Sequence, residues 1–325
     1  MIDAGTLFLA AAPGGARVFT LAVPRRLGHP PEARPKTRLA RLRSLHRHWL
    51  ATSLVALTLV AGCARPAVKV ATPPASPVHA FTFQINSGSN QYQIDGFTAR
   101  PDRPGPLPAL LVLNGDTGDA RQCIDKTQRF TALGIEVACI SIPGYGKSSG
   151  PSRFVGPQSV EAARHALDLL AARPDVDPKR LAVWGMADGA VAAGLLMDSD
   201  ARPRAVILQS GAYDLLKLWP EAPLGTKLRI LRQVWPSKRL LKERSVVENL
   251  PHKLDCSVLI LHGERDRNMP VKQAEQLARA LQDRGAHVQT HYFPEGSHEL
   301  GATVDQPLRD FLRDNLVAAN PHAAS

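Results

Sequence analysis

The residues that could do chemistry stand at the ends of apolar runs. Asp266 closes the stretch HGERD after VLIL, and His298 closes EGSH after THYF. A carboxylate that orients an imidazole, and an imidazole that takes a proton from a hydroxyl, are two parts of a nucleophilic acyl-transfer relay. A place for the hydroxyl lies upstream. The sequence GMADG, residues 185–189, follows the apolar LAVW and precedes the small-residue run AVAAGLL. Strand, tight glycine turn and helix in that order form the G-x-S-x-G frame, which displays a serine at its centre. Here the centre is Ala187. A methyl group cannot attack a carbonyl, lose a proton or form an acyl-enzyme. Plainer roles exist for the other two residues: a turn or helix-cap aspartate, and a histidine on a surface loop.

The elements that must position these residues follow from hydrophobic pattern. Residues 79–85 and 92–101 read as an antiparallel opening pair. The runs PALLVLNG, GIEVACISI, RLAVWGM, RAVILQS and CSVLILHG are continuously apolar, as strands covered on both faces must be. HVQTHYFP completes a set of about eight. Helical periodicity covers 120–133, 159–172 and 272–283, with apolar positions 160, 163, 166, 169 and 170 on one face of the second. Strands alternating with helices predict an α/β protein whose mainly parallel sheet has helices on both faces. Residues 212–255, with Trp219 and Trp235, break the rhythm and are long enough for two or three helices packed as a small lid.

Parallel sheets place their chemistry at the carboxyl ends of strands. Besides Asp266, His298 and the 185–189 turn, those ends carry Asn114-Gly115-Asp116-Thr117 and Pro143-Gly144-Tyr145-Gly146. The chain order of elbow, acid and histidine, together with DVDPKRLAVWGMADGA, CSVLILHGERDRNMPVKQAEQLARAL and FPEGSHEL, resembles the α/β-hydrolases of the prolyl-oligopeptidase and dienelactone-hydrolase type. The resemblance runs from about residue 79 to 318. It implies an α/β-hydrolase fold and a serine esterase or peptidase activity on a small ester or peptide-like ligand. It makes Asp266 the triad acid, His298 the general base and Ala187 the substituted nucleophile. The backbone amides of Asp188 and Asp116 would form the oxyanion hole. Loss of the serine leaves such activity weak or silent, or leaves a binding or structural protein that keeps the pocket. Other groups remain open as nucleophile: Asp188, as in dehalogenases of this fold; Ser210; Ser148 and Ser149; and a water activated by His298. The Asp188 option puts Met186 and Ala190 at the tight positions of the turn, where methionine fits badly. No cofactor is implied, and no metal-ligand spacing occurs.

The net charge of +11 is unevenly spread. Residues 1–62 hold nine basic and two acidic residues, against 31 and 27 in the remainder, so the charge belongs to a leader rather than to a nucleic-acid face. In that leader Arg38, Arg41, Arg43 and Arg47 precede the apolar run 49–61, followed by Gly62 and Cys63. A positive segment, a short apolar run and small residues make a secretory signal. The tail LVAGC resembles a lipobox, which makes Cys63 the lipidated mature N-terminus. Ala64 behind it resembles the outer-membrane sorting choice of Gram-negative lipoproteins. The expected product is an exported lipoprotein held to a bacterial membrane and facing the periplasm. Its Pro- and Ala-rich tether, 63–78, leads into a domain at 79–325. Of the remaining cysteines one pair can bridge in an oxidising compartment, while Cys139 and Cys256, within apolar runs, read as buried thiols.

Overall fold

A two-residue turn at Gly88 and Ser89, with Gly88 at φ +61°, folds Val78–Ser87 (β1) back on Asn90–Ala99 (β2). This is the edge of an eight-stranded sheet in a computed structural model that describes residues 76–115 and 118–318. The leader, Cys63, the tether up to residue 75 and Asp116 lie outside the described residues.

The remaining strands are Leu107–Leu113 (β3), Glu136–Ile140 (β4), Val176–Met186 (β5), Pro203–Gln209 (β6), Ser257–Gly263 (β7) and His287–Phe293 (β8). Their order is β1-β2-β4-β3-β5-β6-β7-β8, antiparallel at β1–β2 and β2–β4 and parallel from β4 onward. Strand pleating sends alternate side chains to opposite faces. Leu111, Leu113 and Val183 pack with the helices Pro157–Ala171 (α2), Asp188–Ser199 (α3) and Lys272–Gln282 (α7). Leu110, Val112, Ala182 and Trp184 pack with Ala120–Thr127 (α1) and Asp305–Leu312 (α8). The two buried layers explain why the central strands are apolar throughout.

The chain leaves β3 in one direction to β4 and returns across the sheet to β5, so the strand order reverses between β3 and β5. The carboxyl ends of these two strands, Asn114-Gly115 and Met186-Ala187, therefore meet at the switch point, where open α/β sheets bind ligands.

Two sequence expectations need correction. The helix over 120–133 splits into α1 and a tighter 3-10 turn at Gln128–Leu133. The Thr127 hydroxyl bonds back to the Cys123 carbonyl at 2.8 Å, a contact that bends helices at threonine. Cys139 is not a thiol: it is joined to Cys123 of α1 across a Cα separation of 6.0 Å. Among the described residues Cys256 is the free cysteine, and burial pushes its thiol up to about 11. Between β6 and β7, residues 212–255 form three short helices, Leu215–Glu221 (α4), Leu224–Gln233 (α5) and Lys238–Glu243 (α6). Asp214 and Ser237 cap the first and third, accepting from the Lys217 and Leu240 amides.

Candidate active site

The turn between β5 and α3 is sharp because two glycines let backbone meet backbone. A Cβ on Gly185 would lie 2.2 Å from the Gly189 carbonyl oxygen, and one on Gly189 would lie 2.0 Å from that of Leu113. Between them Ala187 is held at φ +48°, ψ −114°, a region that residues with a Cβ enter only under strain. Its amide donates to the Gln209 carbonyl at 2.9 Å, which pins the turn to the end of β6.

Asp266 and His298 come from the loops after β7 and β8. These loops are stitched by the Arg265 amide donating to the Gly296 carbonyl and the Glu264 amide to that of Phe293, both at 2.9 Å. His298 Nδ1 lies 2.7 Å from Asp266 Oδ2. The other carboxylate oxygen accepts the amides of Asn268 and Met269 at 2.8 and 2.9 Å. Burial alone pushes the Asp266 carboxyl up. The His298 hydrogen bond, the Met269 amide, the His298 charge and the Asn268 amide together outweigh it and hold the group below its ordinary value of 3.8. An imidazole bonded through Nδ1–H presents its basic nitrogen at Nε2. Behind the carboxylate, the fully buried His262 places Nε2 2.8 Å from the Met269 carbonyl and 3.6 Å from Asp266 Oδ2. Burial holds its pKa below 6.5.

A cavity of about 730 Å³ opens over the elbow. Ala187, Gly115, Ser210 and His298 line it on the sheet side, with residues of α1 and the 299–305 segment opposite. In its wall, Trp184 Nε1, Gln209 Oε1 and Ser210 Oγ are buried atoms without a hydrogen-bond partner among the described residues. A smaller cavity of about 480 Å³, lined by Arg204, His287 and Asp314, shares none of these residues.

The structure thus brings Ala187, His298 and Ser210 to one cavity, with Asp266 directly behind His298. It turns the Asp188 side chain elsewhere. That carboxylate, only 2% exposed, accepts the Tyr145 hydroxyl at 3.1 Å and Arg229 Nη1 of α5 at 3.0 and 3.1 Å. It does not line the cavity, and these bonds hold it toward Tyr145 and Arg229 instead. Ser148 and Ser149 bond the β1–β2 hairpin instead, accepting the Asp95 and Gln93 amides at 3.0 and 2.8 Å. The pairing of Asp188 with Tyr145 and Arg229 had no local sequence signature, since 41 to 43 residues separate the partners. Among the described residues no cluster of His, Cys, Asp or Glu is arranged to hold a metal ion.

The sheet, its switch point and the strand-end loops define an α/β-hydrolase fold. The family model of the prolyl oligopeptidases (peptidase S9) matches residues 127–314, and the chain belongs to that family. An uncharacterised peptidase of Bacillus subtilis, YuxL, is 29% identical over 240 residues, a match that takes in 70% of this chain and 36% of that one. An uncharacterised protein of Mycobacterium tuberculosis is 31% identical over 222 residues, covering 66% of this chain and 72% of its own length. Among solved structures, a puromycin-hydrolysing peptidase of Mycobacterium tuberculosis superposes with a TM-score of 0.63 at 22% identity, over 74% of this chain and 39% of that one. This chain therefore spans little more than a third of the length of either peptidase.

Proposed function

We propose that the protein is a serine-hydrolase scaffold for esters or short peptides whose acyl-transfer step is weak or silent because Ala187 stands where the attacking serine belongs. Asp266 is the acid and His298 the base. The Asp188 amide is one oxyanion donor. Asp116 is proposed as the second, since Gly115 packs so closely that a Cβ on it would lie 2.6 Å from the Asp188 nitrogen. One observation carries the reading: Ala187 keeps the strained backbone of a nucleophile elbow while facing the same cavity as a histidine paired to a carboxylate. Any residual turnover comes from a water activated by His298 together with substrate binding.

Ala187→Ser tests this. The wild type is expected to ignore a fluorophosphonate probe and to hydrolyse p-nitrophenyl acetate feebly. The serine variant should label covalently and lose the label when His298→Ala is added. Recovery need not be complete, because a displacement of about an ångström costs roughly a hundredfold. Wild-type labelling at Ser210 or any other residue overturns the reading. A folded Ala187→Ser protein that does not label favours a second reading, a ligand-binding or structural role for the cavity. That alternative has its own support in the unpartnered Trp184, Gln209 and Ser210 atoms of residues that line the cavity.

We also infer export as a lipoprotein anchored through Cys63, with the periplasm as its compartment. The disulfide between Cys123 and Cys139 supports an oxidising compartment. A fatty-acid analogue fed to cells should mark the protein and fail to mark Cys63→Ser. An unlabelled, uncleaved product would sink this part.

A further inference from the structure

Six large apolar residues are left exposed in the described chain, and four of them lie within residues 224–235: Leu224 at 72%, Leu228 at 44%, Leu231 at 41% and Trp235 at 79%. At 3.6 residues per turn the three leucines fall within about 60° of one another on α5. The opposite face is spent on the protein body, where Thr226 and Ile230 are buried and Gln233 accepts the Phe154 amide at 2.8 Å. Among the described residues, the stripe is thus an outward face with nothing laid over it. Lys227 and Arg232 stand on its two flanks.

Charge says what kind of surface belongs there. Residues 215–245 contain eight basic and two acidic residues, whereas residues 63–325 as a whole contain 31 and 27. Residues 63–325 outside 215–245 thus hold 23 basic and 25 acidic residues, so the net positive charge lies within 215–245. Arg229 and Arg244 of that stretch turn inward, to Asp188 and to the Arg153 and Phe154 carbonyls, and the others flank the stripe or neighbour it in sequence. A narrow apolar face rimmed by Lys and Arg, with a tryptophan at one end, matches the chemistry of a bilayer interface carrying anionic headgroups. A second copy of the chain would meet the same positive rim and be repelled.

We propose that α5 and Trp235 form a docking surface for an anionic phospholipid bilayer, with the leucines and the indole at the acyl boundary and Lys227, Arg232, Lys238 and Arg239 against the headgroups. The surface is separate from the proposed acyl anchor at Cys63 and from the reading of Ala187.

The full chain carrying Cys63→Ser, so that no lipid anchor contributes, is mixed with phosphatidylcholine vesicles and with vesicles in which a quarter of the lipid is phosphatidylglycerol. The protein should sediment with the anionic vesicles, less so at high salt. Replacing Leu228, Leu231 and Trp235 together by serine should lower the partition by about tenfold or more, with unchanged thermal melting. The leader is common to both proteins, so the difference isolates α5. Brominated lipid should quench a fluorescence component that Trp235→Phe removes. A triple variant that partitions like its parent, an unquenched Trp235 or a parent that binds neither vesicle overturns the proposal. So does a triple variant that only converts a dimer to a monomer, which would make the stripe an interface between copies.

Discussion

Asp266 lies between two histidines that do opposite things to it. His298, 2.7 Å away and partly exposed, shares a hydrogen bond with the carboxylate, whereas burial holds the pKa of His262, 3.6 Å away, below its ordinary value. The two effects act in different pH windows. A histidine whose folded pKa is depressed binds fewer protons folded than unfolded. Its destabilisation therefore sets in as pH falls below 6.5, with a slope of at most about 1.4 kcal/mol per pH unit. Asp266, with its pKa lowered, stabilises the fold above 3.8 and loses that contribution as pH falls further. Denaturant melts at pH 7.5 and 5 should show a loss for the wild type that His262→Gln reduces, because glutamine can still donate to the Met269 carbonyl but cannot take up a proton. An equal loss in both proteins would exclude His262 as the source.

At the scale of the elements, the β5–α3 turn stores strain with no side-chain chemistry in return. Ala187→Gly should relieve the left-handed backbone and raise Tm by about 2–4 °C, the equivalent of about 1 kcal/mol in a domain of this size. Gly189→Ala, which drives a methyl against the Leu113 carbonyl, should lower stability by about 1–3 kcal/mol. Calorimetry on the two variants reads both signs. The central strands and the turn itself were legible in the sequence, because strands buried on both faces are continuously apolar and the glycines mark close backbone approach. The loops bearing Asp266 and His298 were legible as strand ends. The segment Arg153, Phe154 and Val155 was not: three successive non-glycine residues take φ of +39°, +44° and +53°. They are held there from a distance, by Gln233 Oε1 on the Phe154 amide and by Arg244 Nε on the Arg153 and Phe154 carbonyls at 3.3 and 3.0 Å. Local propensity carries no trace of a conformation imposed by side chains some 80 to 90 residues away. The Arg229–Asp188 pair is hidden for the same reason, and so is the partner of Cys139.

Seen as one molecule, the sheet separates a face covered by α2, α3 and α7 from one covered by α1 and α8, and the cavity opens on the second. Its outer wall is α1, which the bond from Cys123 to Cys139 fastens to β4. Closing a loop of 16 residues restrains the unfolded chain by about 3 kcal/mol. Reduction, or Cys123→Ala with Cys139→Ala, should lower thermal stability by about that amount, as calorimetry with and without a thiol reductant will measure. The wall of the pocket is therefore a record of redox history. A population made in a thiol-rich compartment and one made beyond it share every residue, yet they should migrate apart on a non-reducing gel and melt at different temperatures. Where the chain matured would be written into how firmly α1 is held against β4.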